Sequence, residues 1–485
     1  MNLAHIQSRL TRLPMVRALA PLIGGIVAAE YYTLPTVVIW VGFAGAGALA
    51  LAARSSLYAV AALLLFGWGM AEVRALPPDE IPRGVRTEFT LCVGDDHTAT
   101  LTAWRDTQQG RWHTSEVQVR VRTDSTLTLH TGERLVVCSY LNDFQTKYPT
   151  YGTLMRRRGY AGQIWLSERQ ILEREVSRRP SLHAAAAERL QRLALPEKAQ
   201  ALCAAMAVGD RSGLTPELRR AYARSGTSHL LAVSGLHVGI VFLLVNALLW
   251  WLPSLRRGHL WRNAAAIALI WLYALTAGLS PSVIRAALMF SALQLSLASA
   301  SVYVSGNVLA ATAFAMLLFR PAYLFDISFQ LSFIAVAAIL AWAVPLGSAL
   351  HSRFRGINAL TDLLVVGVVA ATATAPLVAH TFGIVSLIGV AANLLVIPLA
   401  SVVVVGSVVW IVLPLPVFAP LLRFVAGTAA TGLNAVAEHA AALPYGAFDY
   451  TLTTPQTVGI YLCFGLFTLA IQREKPKKTI PLSPC

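Results

Sequence analysis

The sequence predicts a polytopic α-helical membrane protein of about ten to twelve spans, with an inserted small all-β, OB-like domain on the outer face. Three observations lead there. Long apolar runs recur along the chain, period-two alternation replaces them in one stretch, and basic residues gather in the connecting loops. Of 485 residues 56% are hydrophobic and 13% charged, with a mean hydropathy of +0.60. An average soluble domain is about 25% charged, so a set of buried helices in a large soluble protein is the weaker reading.

The first block, residues 1–76, contains the runs Leu34 to Ala53 and Leu57 to Leu76 behind an earlier apolar helix. A bilayer core of about 30 Å takes roughly 20 helical residues, which predicts three spans. The first is followed at once by two more and lacks a clear cleavage site, so it reads as a span rather than a signal peptide. Arg9, Arg12 and Arg17 precede the first span and Arg54 separates the second and third. Basic loops stay cytoplasmic, so the N-terminus is expected inside and the chain outside near Leu76.

Residues 77–180 break the pattern. After the linker "PPDEIPRG" come "TEFTLCVGDD", "TATLTAW", "SEVQVRVRTD", "STLTLHTGERLVVCSYL" and "GQIWLSE", alternating polar and apolar between Gly, Asp and Asn punctuation. About five strands in about 100 residues predict a small closed or partly open barrel, an OB-fold first and a compact sandwich second. The patch "MRRRG" offers Arg156, Arg157 and Arg158 as contacts for an anionic strand. Trp104, Trp112, Tyr140, Phe144, Tyr148 and Tyr151 could stack bases; half-buried aromatics of a small barrel are the commoner explanation. Cys92 and Cys138 each end an apolar strand pattern. On the outer face, where disulfides persist, they are expected to form a bridge, the alternative being two buried thiols. Cys203, Cys463 and Cys485 show no metal-ligand spacing.

Residues 181–227 read as amphipathic helices along a membrane surface or over a pore mouth. Pro196 and Pro216 suit helix starts, and Thr215 suits an N-cap. The second membrane block, 228–472, has basic loops "SLRRGHLWR" at 254–262 and "HSRFRG" at 351–356, and a basic tail follows over 473–485. Four spans separate the two loops, so both loops and the C-terminus are expected on the cytoplasmic side. The net charge of +15 fits that rule, and fits anionic lipid or nucleic acid as well.

Polar residues inside the apolar runs are the candidates for function. A mid-membrane Arg or Asp costs about 2.5–3.5 kcal/mol on insertion scales and so faces a partner or water. Arg285 in "LSPSVIRAALMF" and Asp326 in "LFDISFQLSFIAVAAIL" are the clearest cases; a structural Arg–Asp pair and a pathway lining are both open. Gln330 lies one turn beyond Asp326, and Asn393 in "GVAANLLVIPLA" is an uncharged counterpart. In "SHLLAVSGLHVGIV", His229 and His237 fall about 80° apart on a continuous helix and would border one face, with Ser234 and Gly235 between them allowing an unwound turn. The segment lacks G-x-S-x-G and H-E-x-x-H. That leaves histidines bonded to backbone carbonyls at a helix break, residues bordering a transport path, or a hydrolase around Ser234.

"GDRSGLTPELRRAYARSGTSHLLAVSGLHVGIV", "PSVIRAALMF", "DISFQLSFIAVAAIL" and "FGIVSLIGVAANLLVIPLA", in that order and spacing, resemble the competence domain of the ComEC family over about residues 200–420. The preceding layout and "MRRRGYAGQIW" are similar too. The resemblance implies a channel passing single-stranded DNA across the bacterial cytoplasmic membrane during natural transformation. It also implies an outer-face DNA receptor, a cytoplasmic helicase-like motor and contact with membrane lipids. It makes His229, Ser234, Gly235, His237, Arg285, Asp326, Gln330 and Asn393 pathway residues and Gly209, Asp210 and Arg211 a loop motif. Many relatives continue into a metallo-β-lactamase-like domain; this sequence has no H-x-H-x-D-H, so the expectation is a channel and not an enzyme, with no cofactor. It has no P-loop either, so ATP would act through a partner. An anionic strand wants a positive path, yet no row of lysines or arginines runs through the spans. A carrier or flippase for a lipid-linked or small anionic substrate uses the same residues and is the alternative.

Overall fold

The computed structural model describes residues 14–32, 34–53, 55–75, 81–94, 98–105, 110–124, 127, 129, 132–144, 152, 155–156, 159–175, 182–252, 258–299 and 304–473. Outside them fall Arg9, Arg12, Arg54, Tyr148, Tyr151, Arg157, Arg158, the loop stretch 253–257 and the tail from 474 to 485. The chain forms two compact units. The first is drawn from Met1–Leu214, Leu230–Gln330 and Ser401–Thr431, the second from Thr215–His229, Leu331–Ala400 and Gly432–Cys485.

In the first unit the N-terminal block forms three helices, α1 (Pro14–Tyr31), α2 (Thr36–Ala53) and α3 (Ser56–Ala75), of which the second and third are long and apolar enough to cross a membrane. Apolar residues surround each helix, so no stripe tells them how to pack. Small residues do so instead. A Cβ at Gly25 of α1 would run into the backbone of Leu64, and one at Gly67 of α3 into that of Leu22. The two helices press backbone to backbone through a reciprocal glycine contact.

The alternating stretch folds into β1 (Arg86–Val93), β2 (Thr98–Arg105), β3 (Trp112–Thr123), β4 (Arg134–Asn142), β5 (Tyr160–Leu166) and β6 (Ile171–Glu175). The ladder runs β1-β2-β3-β5-β4 and returns to β1, antiparallel throughout except for the parallel β3–β5 pair. Five strands therefore close a small barrel, and β6 continues along the β4 edge beyond β5. Closure removes the exposed ladder edges that a flat sheet would leave. Phe89, Leu91, Leu101, Val119, Leu135, Val137, Leu141 and Ile164 fill the interior, each fully buried, and each contributes about 1.5–3 kcal/mol on burial.

Two lead-in helices follow, α4 (Leu182–Gln191) and α5 (Glu197–Ala207). They are fixed by polar contacts to the 401–431 segment: Trp410 Nε1 donates to Arg189 O at 2.8 Å and Arg423 Nε to Leu193 O at 2.9 Å. The expected third helix, α6 (Pro216–Arg224), belongs to the second unit and carries the predicted cap, Thr215 Oγ1 accepting from Leu218 N at 3.3 Å.

The second block continues as α7 (Gly235–Leu248), α8 (Gly258–Thr276), α9 (Pro281–Ser299), α10 (Ser305–Phe319) and α11 (Ile327–Ala338). A π-helical turn (Ile339–Ala343) leads into α12 (Val344–Leu350), α13 (Arg355–Phe382), α14 (Gly389–Val412), α15 (Ala419–Ala442) and α16 (Thr454–Arg473). Short strands β7 (Ile384–Ser386) and β8 (Ala447–Asp449) pair between them. Within the second unit Trp342, on the π turn, donates to Thr468 Oγ1 at 2.9 Å, and Tyr461 OH donates to Ala373 O at 3.0 Å.

Among the described residues six helices are long and apolar enough to cross a membrane: Thr36–Ala53, Ser56–Val73, Ile327–Leu350, Gly356–Phe382, Gly389–Val412 and Pro416–Ala442. That is fewer than the ten to twelve spans expected. Gly235–Leu248, Pro281–Leu297 and Ser305–Phe319 are apolar but shorter. The plainest correction falls on the apolar stretch from Leu230 to Leu252, which is long enough in sequence to read as one span. Ser228–Leu231 is a 3-10 turn, the next residues leave helical geometry, and only 14 residues continue as α7. At 1.5 Å per residue these reach about 21 Å.

The expected Cys92–Cys138 bridge is absent. Both thiols are free, and the β1–β4 register explains why: Cys92 pairs with Arg134 and Cys138 with Glu88. The two cysteines share a face but stand four positions apart, about 13 Å along the strand, against the roughly 4.4–6.8 Å between Cα atoms that a disulfide requires. Cys203 is of another kind. It is buried on α5, and burial pushes its thiol up to about 11. A maleimide at pH 7.5 should therefore label the exposed Cys92 without prior reduction and leave Cys203 untouched until the protein unfolds. Mass spectrometry of the alkylated peptides checks both, and a Cys92–Cys138 peptide under non-reducing conditions would contradict the register.

Candidate functional site

The break before α7 creates the site. Ser234 has an extended backbone (φ −110°, ψ 169°) and stands at the N-cap of α7. A helix start leaves backbone N–H groups without intrahelical partners. Here Ser234 N donates to Nδ1 of His237, one turn on, at 3.2 Å. The acceptor must be an unprotonated nitrogen, so the neutral ring carries its proton on Nε2. His237 is fully buried. Its Nδ1 lone pair is engaged by the Ser234 backbone, so the Ser–His dyad of a hydrolase is not assembled here.

Gly235, the first residue of α7, faces the guanidinium of Arg285 from α9. A Cβ at Gly235 would lie 2.6 Å from Arg285 Nη2. Only glycine leaves that space. Arg285 is 7% exposed and its Nη1 lies 3.7 Å from Met289 Sδ one turn along α9. The N-terminus of a helix carries about half a positive charge. A cation placed against it adds a largely buried guanidinium to the positive end of the helix.

The loop motif packs behind this point. Gly209, at φ +90°, sits so that a Cβ would meet Ala277 O at 3.2 Å and Val233 Cγ2 at 3.5 Å. It thus abuts the residue that precedes Ser234. Asp210 Oδ1 accepts from Ser212 N at 2.9 Å and tightens the turn, while Arg211 is exposed.

Further along, a polar layer escaped the sequence reading. Asn246 Oδ1 on α7 accepts from Arg262 Nη2 on α8 at 3.0 Å and from Gln294 Nε2 on α9 at 2.9 Å. Gln294 is fully buried. The signal was available, since Asn246 and Gln294 interrupt "LLVNALLW" and "SALQLSL". Gly235 neighbours Arg285, Phe242 stacks on Phe290 with centroids 4.5 Å apart, and Asn246 meets Gln294. Helices α7 and α9 therefore run parallel. They carry two polar levels about 16 Å apart along α7, with an aromatic pair between.

The other predicted positions lie elsewhere. Asp326 Oδ1 accepts from Ser328 N at 2.8 Å and Phe329 N at 3.4 Å, and Gln330 Nε2 donates to Leu324 O at 2.8 Å. Both side chains hold the Pro321–Phe325 turn and the start of α11, which is capping. His229 is exposed in the 3-10 turn and belongs to the second unit. The helix break therefore cancels the shared helical face expected of His229 and His237. Asn393, on α14 in the second unit, has a buried Oδ1 with no hydrogen-bond partner among the described residues. In the barrel, Arg156 pairs with Asp143 at 3.1 Å, and Asp143 also holds Arg83 at 2.7 Å.

With that geometry in view, the comparisons decide the family. The family described as "Competence protein" matches residues 206–476, more than half of the chain. The chain belongs to the ComEC competence family. Among the relatives of this ComEC-family chain are ComE operon protein 3 of Bacillus subtilis (strain 168), 32% identical over 216 residues, and Competence protein ComA of Neisseria gonorrhoeae, 36% identical over 147 residues. An uncharacterized protein of Aquifex aeolicus (strain VF5) is 36% identical over 169 residues. The alignments cover 42%, 29% and 35% of this chain but only 25%, 21% and 37% of those relatives. No solved structure matches.

The capping role assigned to Asp326 is testable. Asp326→Ala should lower the stability of the purified protein by about 1 kcal/mol, the usual worth of a cap, whereas Asp326→Asn should stay close to the parent. Thermal unfolding in detergent checks both; equal losses would point to the charge rather than the cap.

Proposed function

We propose that this chain conducts single-stranded DNA across the bacterial cytoplasmic membrane during natural transformation. The observation that carries the reading is the meeting of Arg285 with the N-terminus of α7. A helix of 14 apolar residues falls short of a full bilayer, and helices broken in mid-membrane characteristically turn their N-termini toward anionic groups. A phosphodiester carries one negative charge per nucleotide and suits a guanidinium beside the positive end of a helix. The family's description and the name of one relative, with their reference to competence, supply the context of DNA uptake.

On this reading Ser234, Gly235, His237 and Arg285 shape one constriction, and Asn246 and Gln294 line a second polar level. His229 and Asn393, in the second unit, keep their place as pathway residues from the family resemblance alone. Asp326 and Gln330 act by holding the start of α11. The barrel is OB-like and lies outside, both termini are cytoplasmic, an outer receptor delivers the strand and a cytoplasmic helicase-like motor draws it in. The chain itself works without a cofactor and is not an enzyme.

Gly235→Ala is the discriminating variant. Its Cβ displaces only the flexible end of Arg285, so the fold should survive while the guanidinium moves. DNA uptake in a naturally competent host should fall at least about tenfold, the equivalent of 1.4 kcal/mol, at normal protein level. His237→Ala, which removes the acceptor of Ser234 N, should behave likewise. Full uptake by both variants would reject the assignment, and unchanged uptake with altered envelope lipid would favour the flippase.

A further inference from the structure

The barrel carries a cross-strand row that the sequence reading did not see. Arg86 of β1 pairs with Tyr140 of β4. Leu141 of β4 pairs with Ile164 of β5 and Asn142 with Gln163, so the same register sets Tyr140 beside Trp165. The Ser139 hydroxyl donates to Trp165 O at 2.8 Å, which fits that placement. Trp165 in turn pairs with Arg122 of β3. Directly paired residues point to the same side of a sheet. All four are on the outer side, Tyr140 43% and Trp165 47% exposed, with both arginines exposed.

The order is cation, ring, ring, cation, across four neighbouring strands and about 14 Å. The guanidinium of Arg122 lies over the Trp165 ring, 5.4 Å from its centroid. Two large aromatics left in water on the outside of a barrel whose interior is already full contribute nothing to its core. Flanking charge is of both signs. Asp143 is paired with Arg83 and Arg156, and Asp124, Glu168 and Arg169 lie exposed beyond the Trp165 end.

We propose that the Arg86–Tyr140–Trp165–Arg122 row is a binding platform for single-stranded DNA. Bases stack on Tyr140 and Trp165, and phosphates meet Arg86 and Arg122. Such platforms join stacking rings to cations because every base has a π-face and every linkage a charge. An extended strand matches the alternation of ring and charge, and a duplex hides its base faces. The platform runs across β1, β4, β5 and β3, and shares only β3 with the β2–β3 face used by many OB-folds. Only the identity of the strand as DNA rests on the function proposed above.

The test is fluorescence anisotropy of a labelled twenty-residue oligo-dT against the full-length protein in nanodiscs. Trp165→Ala and Tyr140→Ala should each weaken binding at least about fivefold, the lower end of what a stacked base contributes. Trp165→Phe and Tyr140→Phe keep a ring and should retain most of the affinity, which separates stacking from misfolding. Arg86→Gln with Arg122→Gln should reduce the slope of log Kd against log salt by about 1.4, at about 0.7 per phosphate contact on a single strand. Parent-like affinity in the double alanine variant overturns the proposal, as does an equal loss for duplex and single strand. Oligonucleotide affinity of the purified protein reads the platform, whereas DNA uptake in cells reads the membrane path, so the two proposals can fail separately.

Discussion

An interrupted helix in apolar surroundings has to do something with its first backbone N–H groups. Water is not there to take them, and this chain answers at Ser234 by turning the ring of His237 back onto the cap. That single hydrogen bond fixes where α7 begins, which residue occupies its first position and which way its positive end points. Gly235 then admits the Arg285 guanidinium, and Val233, just before the break, gives Gly209 a surface to lie against. Three motifs separated by scores of residues thus converge because one helix starts late.

Much of this fold is legible in the sequence, and the parts that are not share a cause. Apolar runs announce helices and alternation announces the barrel, since both are local periodicities. The break in "LAVSGLH" is invisible to hydropathy, because Ser and Gly are tolerated inside apolar helices. Its trace is a side chain capable of accepting a hydrogen bond three residues after a serine, the spacing of a cap. Asp326 carries a similar trace and looked like a buried charge in search of a partner. In the barrel, alternation correctly puts Cys92 and Cys138 on one face. It cannot supply register, which the ladder sets four residues out. Trp165 escaped for the same reason, since β5 inserts between β3 and β4 and its neighbours are distant in sequence. Periodicity gives faces; only pairing gives neighbours.

The division of charge between the two halves follows from what surrounds them. On the barrel surface a guanidinium is solvated at no cost, so several can be spread across a row and bracketed by rings. Among apolar helices each cation carries a desolvation penalty of a few kcal/mol, so the chain places Arg285 where a helix start adds to its potential and lets Asn246 and Gln294 supply neutral donors and acceptors further along.

The scarcity of cations in the helical half, which looked like a weakness of a DNA path, is what conduction asks for on the proposed reading. A strand held by a ladder of arginines would meet a deep well at every step, and each well would have to be climbed by the next nucleotide. Transport needs sites strong enough to admit a phosphate and weak enough to release it. One guanidinium backed by a helix dipole, followed about 16 Å later by amide groups that hold a second, Arg262, and separated from them by the Phe242–Phe290 stack, is a sparse sequence of this kind. Affinity can then reside on the water-exposed barrel, where binding and release are cheap, and the membrane half has only to keep an already captured strand moving.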